Sequence, residues 1–217
     1  MQNFNSESPG NLSGSLVNLN NMTMTTTSTR ISRQIGAPGA PAKRTLWRNA
    51  ALACVVVLIA IAVATVGKPF IEIPGLIDAS AHVRRSLDLQ MFNGFNNPHP
   101  WWGPWTNTFG NIALFIPLGA CLVVMGQNSR HVRFGRGGTI LFAVGLSLGI
   151  EITQYLFSLG FSDIDDVVFN TVGASLGAFL TSRCGAKAQL RSVRVIGWAA
   201  ALSLAALAAA VVAGVIV

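Results

Sequence analysis

Five apolar runs dominate this chain, and each is long enough, or nearly long enough, to cross a lipid bilayer. About 20 apolar residues in a helix span a hydrocarbon core of roughly 30 Å. A helix also gives every backbone N–H and C=O group an internal partner, which lipid cannot supply. The sequence therefore predicts an all-α, polytopic transmembrane bundle with five spans, at Leu46–Val66, Thr108–Gly126, Thr139–Leu159, Val167–Ser182 and Val195–Val217.

The composition supports lipid rather than water as the main solvent. Of the 217 residues, 51% are hydrophobic and 11% are charged, whereas a soluble domain has about 25% charged residues. The net charge of +7 would suit nucleic acid, but the basic residues gather at the ends of the apolar runs. We therefore expect the lipid bilayer as a partner, and no nucleic acid. The cysteines at 54, 121 and 184 match neither a disulfide framework nor a metal motif, and no cofactor is expected.

The distribution of basic residues predicts the orientation of the bundle. If the amino terminus is cytoplasmic and the spans alternate, only Lys68, Arg84 and Arg85 of the 15 basic residues lie outside. The opposite orientation would invert this ratio and break the positive-inside rule. We therefore predict a cytoplasmic amino terminus and an extracytoplasmic carboxyl terminus.

Two polar segments flank the first span. Residues 1–45 are rich in Ser, Thr, Asn and Gly, and are expected to form a disordered tail. Residues 67–106 form the longest loop, expected outside the membrane, with a short surface helix at 80–91. The loop ends in Trp101, Trp102 and Trp105, which favour an interfacial aromatic belt, with a stacking platform for a ligand as the alternative. Residues 107–185 hold the second to fourth spans as one core.

Acids and amides recur at one depth of the predicted bundle, in its outer half. In the third span Ser147, Glu151, Gln154 and Ser158 share one helical stripe. No basic residue lies at the depth of Glu151, so this carboxyl must be protonated, hydrated or bound to a cation. Ionisable groups at membrane depth usually mark function. The candidate functional cluster comprises Asn111, Glu151, Gln154, Asp163, Asp165, Asp166 and Asn170, with Asn111 and Gln154 as expected hydrogen-bond partners of Glu151.

Each part of this cluster also has a structural interpretation. Buried amides can simply join helices, at about 0.6–2 kcal/mol each. An aspartate before a helix caps it and suits its dipole. Three aspartates within Asp163–Asp166 exceed the needs of capping and could hold a divalent cation. The spacing is not that of an EF-hand loop, so no metal site and no catalytic residue is assigned.

Small residues and a proline predict how the spans pack. Gly145 with Gly149, and Gly173 with Gly177, form two G-x-x-x-G pairs, whose small residues let helix backbones approach closely. We expect the third span to be polar on one side, closely packed on the other, and central. Pro117 interrupts the helical hydrogen bonds of the second span, near Gly119.

Three motif blocks resemble the VanZ-like family of membrane proteins. They are N-x-x-L-F-x-P-L-G at 111–119, E-x-x-Q at 151–154, and D-x-D-D-x-x-x-N-x-x-G-x-x-x-G at 163–177. The resemblance covers about residues 105 to 185. It implies a protein of the bacterial plasma membrane that is connected with the cell envelope, in a family named after a teicoplanin-resistance protein.

Three functions fit these observations. The leading hypothesis is a non-catalytic membrane protein whose outer polar pocket binds an envelope lipid or a glycopeptide ligand. A second is a membrane-embedded hydrolase or transferase acting on a lipid head group, with Glu151 as general base. A third is a small proton-coupled transporter with Glu151 as the proton site. The oligomeric state is left open.

Overall fold

The computed structural model describes residues 39–67, 70, 86–96, 101–130, 134–159 and 161–213. This part of the chain contains a short 3-10 helix (Asn93–Phe95) and five α-helices: α1 (Ala40–Val66), α2 (Gly103–Asn128), α3 (Arg136–Phe157), α4 (Ile164–Ser182) and α5 (Ala186–Val212). It also contains two short strands, β1 (Ser86–Asp88) and β2 (Phe161–Asp163), which pair in parallel. The helical bundle that the apolar runs predicted is confirmed, and the strand pair is an addition to an otherwise all-α fold.

Two boundaries differ from the prediction. Helix α1 begins at Ala40, so the end of the expected tail is helical, while residues 1–38 lie outside the described residues. In the predicted surface helix at 80–91, the described residues instead form β1 and a loop. The prediction is wrong there because β1 has its hydrogen-bonding partner in β2, far away in sequence.

Four of the helices are long and apolar enough to cross a membrane: α1, α2, α3 and α5. Helix α4, with 19 residues and two aspartates in its first turn, is not among them. The chain is accordingly a multi-pass membrane protein with at least these four apolar helices.

Helices α2 and α4 pack along a seam of small residues and run parallel. A side chain at Gly173 would collide with the carbonyl of Ile112, and one at Gly177 with the carbonyl of Ile116. Contacts thus advance in the same direction along both helices. Gly119, from α2, lies equally close to the backbone of α4. We call Gly119, Gly173 and Gly177 the glycine seam. The close approach of a neighbouring helix backbone to Gly173 and Gly177 agrees with the expectation from their G-x-x-x-G spacing.

The other G-x-x-x-G pair does not pack in this way. Gly145 and Gly149 are exposed on α3, and a side chain at either would meet no described atom within 4 Å. The predicted close-packed face of the third span is therefore wrong, because this face of α3 points away from the described helices. Helix α2, which packs against every other helix, holds the central position instead. Its Phe115 and Leu118 are fully buried.

The remaining contacts fix the directions of α3 and α5. The amide of Asn170 on α4 donates to the hydroxyl of Ser147 on α3 at 2.8 Å, and the N–H of Asp163 donates to Glu151. Because the later residue of one helix pairs with the earlier residue of the other, α3 and α4 run antiparallel. Arg194 on α5 donates to the side chain of Asn49 on α1 at 3.3 Å. The five helices therefore alternate in direction along the bundle.

Charge divides the bundle into two ends. The acidic end holds the start of α2, the strand pair and the connection from α3 to α4; its carboxylates are Asp88, Glu151, Asp163, Asp165 and Asp166. The basic end holds the starts of α1, α3 and α5; its charged residues are Lys43, Arg44, Arg48, Arg130, Arg136, Arg183, Lys187, Arg191 and Arg194. Within the described residues, each end carries one sign of charge.

Candidate functional site

Glu151 lies at the centre of the acidic end, with 7% of its surface exposed. Helix α3 ends soon after it, because Ser158 takes a left-handed conformation (φ 54°) and caps the helix. The chain then turns back, so that β2 runs beside the last turns of α3. One carboxylate oxygen of Glu151, Oε2, accepts the backbone N–H of Asp163 at 2.9 Å. Glu151 therefore contacts the acidic turn itself.

Asp166 joins the first turn of α4 to α2. Its Oδ1 accepts the side-chain amides of Asn111 at 2.6 Å and Asn107 at 2.7 Å. The expected bond from Asn111 to Glu151 is therefore wrong, because Asp166 takes this donor. The prediction omitted Asn107, although its position four residues before Asn111 on the same helical face was a usable signal.

Gln154 and Asn170 extend the cluster toward α1 and α3. The amide of Gln154 donates to the backbone carbonyl of Thr65 in α1 at 3.1 Å, rather than to Glu151 as expected. Asn170 bonds Ser147, as described above. Both side chains are almost completely buried, with 5% and 2% of their surfaces exposed. The structure thus brings together residues from α1, α2, α3 and α4, and gives Gln154 a different partner from the one predicted.

Three buried oxygens in this region have no hydrogen-bond partner among the described residues: Gln154 Oε1, Asp165 Oδ1 and Asn170 Oδ1. All three are acceptors. Leaving a buried polar atom unpaired costs about 1–3 kcal/mol, so buried oxygens of this kind usually bond a water molecule or an ion. The three oxygens can therefore each accept a hydrogen bond from a buried water molecule.

A segment of the loop after α1 covers the acidic turn. Asp163 caps α4 by accepting the N–H of Asp165 at 2.8 Å. Asp165 in turn accepts the N–H of Phe92 at 2.8 Å. The ring of Phe92 lies 6.1 Å from that of Phe169 in α4. Together with the pairing of β1 with β2, these contacts fix residues 86–96 over the start of α4, which the sequence did not predict.

A cavity of about 280 Å³ opens beside the buried carboxylate. One wall is the outer face of α3, another is the acidic turn, and the third is the segment at β1. Its lining is mostly apolar, with Glu151, Ser162 and Asp163 as the main polar groups, and comprises Leu87, Leu89, Leu148, Glu151, Ile152, Tyr155, Leu156, Ser162, Asp163, Ile164 and Val167. Cavities of this kind, apolar with a few placed polar groups, are typical of small-molecule sites.

Within the described residues, no group of three or more His, Cys, Asp or Glu side chains is placed to hold a metal ion. The histidines at 82, 99 and 131 lie outside those residues. Trp105 stacks on Phe109 with ring centroids 6.0 Å apart and meets Phe95 edge-on, while Trp101 is 73% exposed. The choice between an aromatic belt and a stacking platform stays a prediction.

Burial raises the pKa of Asp163 to about 6, from an ordinary value of 3.8. The N–H of Asp165 lowers the pKa, but the nearby carboxylates of Asp166, Asp165 and Asp88 raise it again. Between these two pKa values the folded protein holds more protons than the unfolded chain. The free energy of unfolding should therefore fall as the pH rises from about 3.8 to 6.

This dependence can be measured with Asp163→Asn, which keeps a helix-capping side chain and loses the charge. Between pH 4.5 and pH 7.5, the melting temperature of the detergent-purified wild type should fall relative to that of the variant. A constant difference in melting temperature across this range would contradict the raised pKa.

The residues of the acidic end and of the glycine seam were compared with known protein families. A family model described as VanZ/LLP1 matches residues 54–185, which include the whole acidic turn and the glycine seam. "Protein VanZ" of Enterococcus faecium is 35% identical over 94 residues, or 43% of this chain and 51% of that protein. The match therefore spans about half the length of this relative. No solved structure matches the chain significantly.

Proposed function

Because the chain belongs to the VanZ/LLP1 family, we propose that it is a bacterial plasma-membrane protein that acts at the cell envelope and contributes to resistance to glycopeptides such as teicoplanin. In this proposal the cavity at the acidic end binds an envelope lipid or a glycopeptide-like molecule. In this role the protein acts by binding the ligand. All five helices cross the membrane, and the acidic end faces away from the cytoplasm.

The orientation follows from the separation of charge. The basic end carries the arginines and lysines between the helices, which the positive-inside rule assigns to the cytoplasm. The sequence contains no Asp or Glu at 89–150 or at 167–217, so acidic side chains do not offset this bias. Helix α4 runs parallel to α2 over the length of the glycine seam. Its 19 residues reach about 28 Å at 1.5 Å per residue, which suits a fifth crossing.

The hydrogen-bonding character of the site supports the class of ligand. The single observation that carries the proposal is the mostly apolar cavity of about 280 Å³, whose polar lining includes the carboxyl groups of Glu151 and Asp163 and the hydroxyl of Ser162. Such a site favours a molecule that brings N–H or O–H donors together with an apolar part. Envelope lipids with amine or hydroxyl head groups have this character, and so do lipid-bearing glycopeptides.

Complementation of a deletion strain tests the proposal. Glu151→Ala removes a buried acceptor at the cavity, so teicoplanin susceptibility should rise to that of the deletion strain, while wild type restores resistance. Binding of teicoplanin or of a purified envelope lipid to the detergent-purified variant should weaken by about tenfold or more, since hydrogen bonds to charged groups contribute about 1.5–3 kcal/mol.

Thr153→Ala serves as the matched control. Its hydroxyl donates to the carbonyl of Gly149 within its own helix, so this variant should behave as wild type. Both variants must reach the membrane in equal amounts, which immunoblotting verifies. Unchanged ligand affinity and unchanged susceptibility in Glu151→Ala would refute a binding role for this site.

A further inference from the structure

Two arginines converge on one aromatic ring at the basic end. Arg136 is the first residue of α3, and Arg183 follows the last residue of α4. Their guanidinium carbons lie 5.5 Å and 3.7 Å from the ring centroid of Phe179. Phe179 is 39% exposed, so this group sits on the surface of the bundle. Phe179 holds both cations by cation–π attraction.

The two positive charges have no neutralising partner nearby in the sequence. No Asp or Glu occurs at 89–150 or at 167–217, which includes the first half of α3 and almost all of α4. The described carboxylates lie at the acidic end. Both guanidinium carbons lie within 5.5 Å of the same ring centroid, so their like charges repel one another. An anion that contacts both guanidinium groups would offset the repulsion and supply hydrogen-bond acceptors to both.

We propose that Arg136, Phe179 and Arg183 bind the phosphate of an anionic phospholipid in the leaflet at the basic end. The planar guanidinium group matches two oxygens of a phosphate, which a lysine cannot do. Arginine clusters at the cytoplasmic ends of helices are known to attract anionic head groups.

The apolar surface of α4 next to the two arginines favours a lipid over free phosphate. Leu176, Phe179, Leu180 and Arg183 follow one another at i, i+3, i+4 and i+7 on α4, so they form one stripe. Leu176 is 44% exposed and Leu180 is 60% exposed. An acyl chain can lie along this apolar stripe while its phosphate reaches the two arginines. Free phosphate would use the arginines alone.

The test compares two double variants that remove the same charge from the same end. Arg136→Gln with Arg183→Gln removes the proposed site. Lys187→Gln with Arg191→Gln removes two exposed charges from α5 and leaves the site intact. The readout is the rise in melting temperature of the purified full-length protein as phosphatidylglycerol is added to mixed detergent micelles, with phosphatidylcholine as the neutral comparison.

Wild type and the α5 variant should be stabilised by phosphatidylglycerol at similar concentrations. The Arg136/Arg183 variant should need about tenfold more of it or fail to respond. Phe179→Ala, which keeps both charges, should be intermediate. All variants should melt normally in phosphatidylcholine, which separates lost binding from lost folding.

Two results would overturn the proposal. An equal loss in the two double variants would mean that the lipid responds only to the overall field of the basic end. Displacement of phosphatidylglycerol by millimolar inorganic phosphate would mean that the site binds the anion and not the lipid. Neither result bears on ligand binding at the acidic end.

Discussion

Replacing Gly177 by valine is expected to separate α2 from α4 and to lower the free energy of unfolding by about 3 kcal/mol or more, the upper part of the range for overpacked cores. A side chain at this position would collide with the carbonyl of Ile116 and press on the backbone at Ala120. Backbone atoms cannot move aside as a flexible side chain can. The helices must therefore separate along the whole glycine seam.

Gly149→Val is the matched control for this substitution. It makes the same change in a helix, but a side chain at Gly149 meets no described atom within 4 Å. Unfolding in a detergent of increasing denaturing strength measures both variants. Gly177→Val should lose its cooperative transition or shift it strongly, while Gly149→Val should remain close to wild type. Equal destabilisation by the two valines would show that helix propensity, and not the seam, controls the result.

Asp166→Ala is expected to have the second large effect. It removes the acceptor of two side-chain amides, those of Asn107 and Asn111, and leaves the buried Asn111 amide without this partner. Hydrogen bonds to a charged group contribute about 1.5–3 kcal/mol each. Because the two bonds share one oxygen, we expect a combined loss of about 3 kcal/mol rather than the full sum.

The charge and the acceptor can be separated by a second variant. Asp166→Asn keeps an oxygen for the two amides and removes the charge, so it should recover a large part of the stability. Asp88→Asn changes a carboxylate elsewhere at the acidic end and should have a small effect. Thermal unfolding of the three purified variants gives the comparison. A loss in Asp166→Asn as large as that in Asp166→Ala would assign the effect to charge alone.

The helices were predictable because long apolar runs leave few alternatives. A run such as Leu46–Val66 contains enough apolar residues to cross a bilayer, and lipid requires its backbone to be helical. The depth of a side chain also follows from its position along a helix. The prediction that Asn111, Glu151 and Asn170 lie in one layer used only this rise per residue. In the structure Asn170 bonds Ser147, four residues before Glu151 on α3.

The partners within this layer were not predictable in the same way. They depend on how far each helix is rotated about its own axis, and a single sequence contains little information on that angle. Asn111 therefore binds Asp166 and not Glu151. The same uncertainty explains Gly145 and Gly149, since a G-x-x-x-G pair also fits a face turned away from the other helices. The two strands were not predicted because three residues are too few to show the alternation of apolar and polar side chains that indicates a strand.

The link between Phe92 and Asp165 has a consequence for biogenesis. The two residues are 73 positions apart, so the ribosome completes the covering segment well before it completes its attachment point. Residues 86–96 cannot pack against the start of α4 until the chain has been synthesised and inserted as far as Asp165. The acidic end is therefore finished late, and a nascent chain arrested before residue 165 should leave residues 86–96 open to added protease.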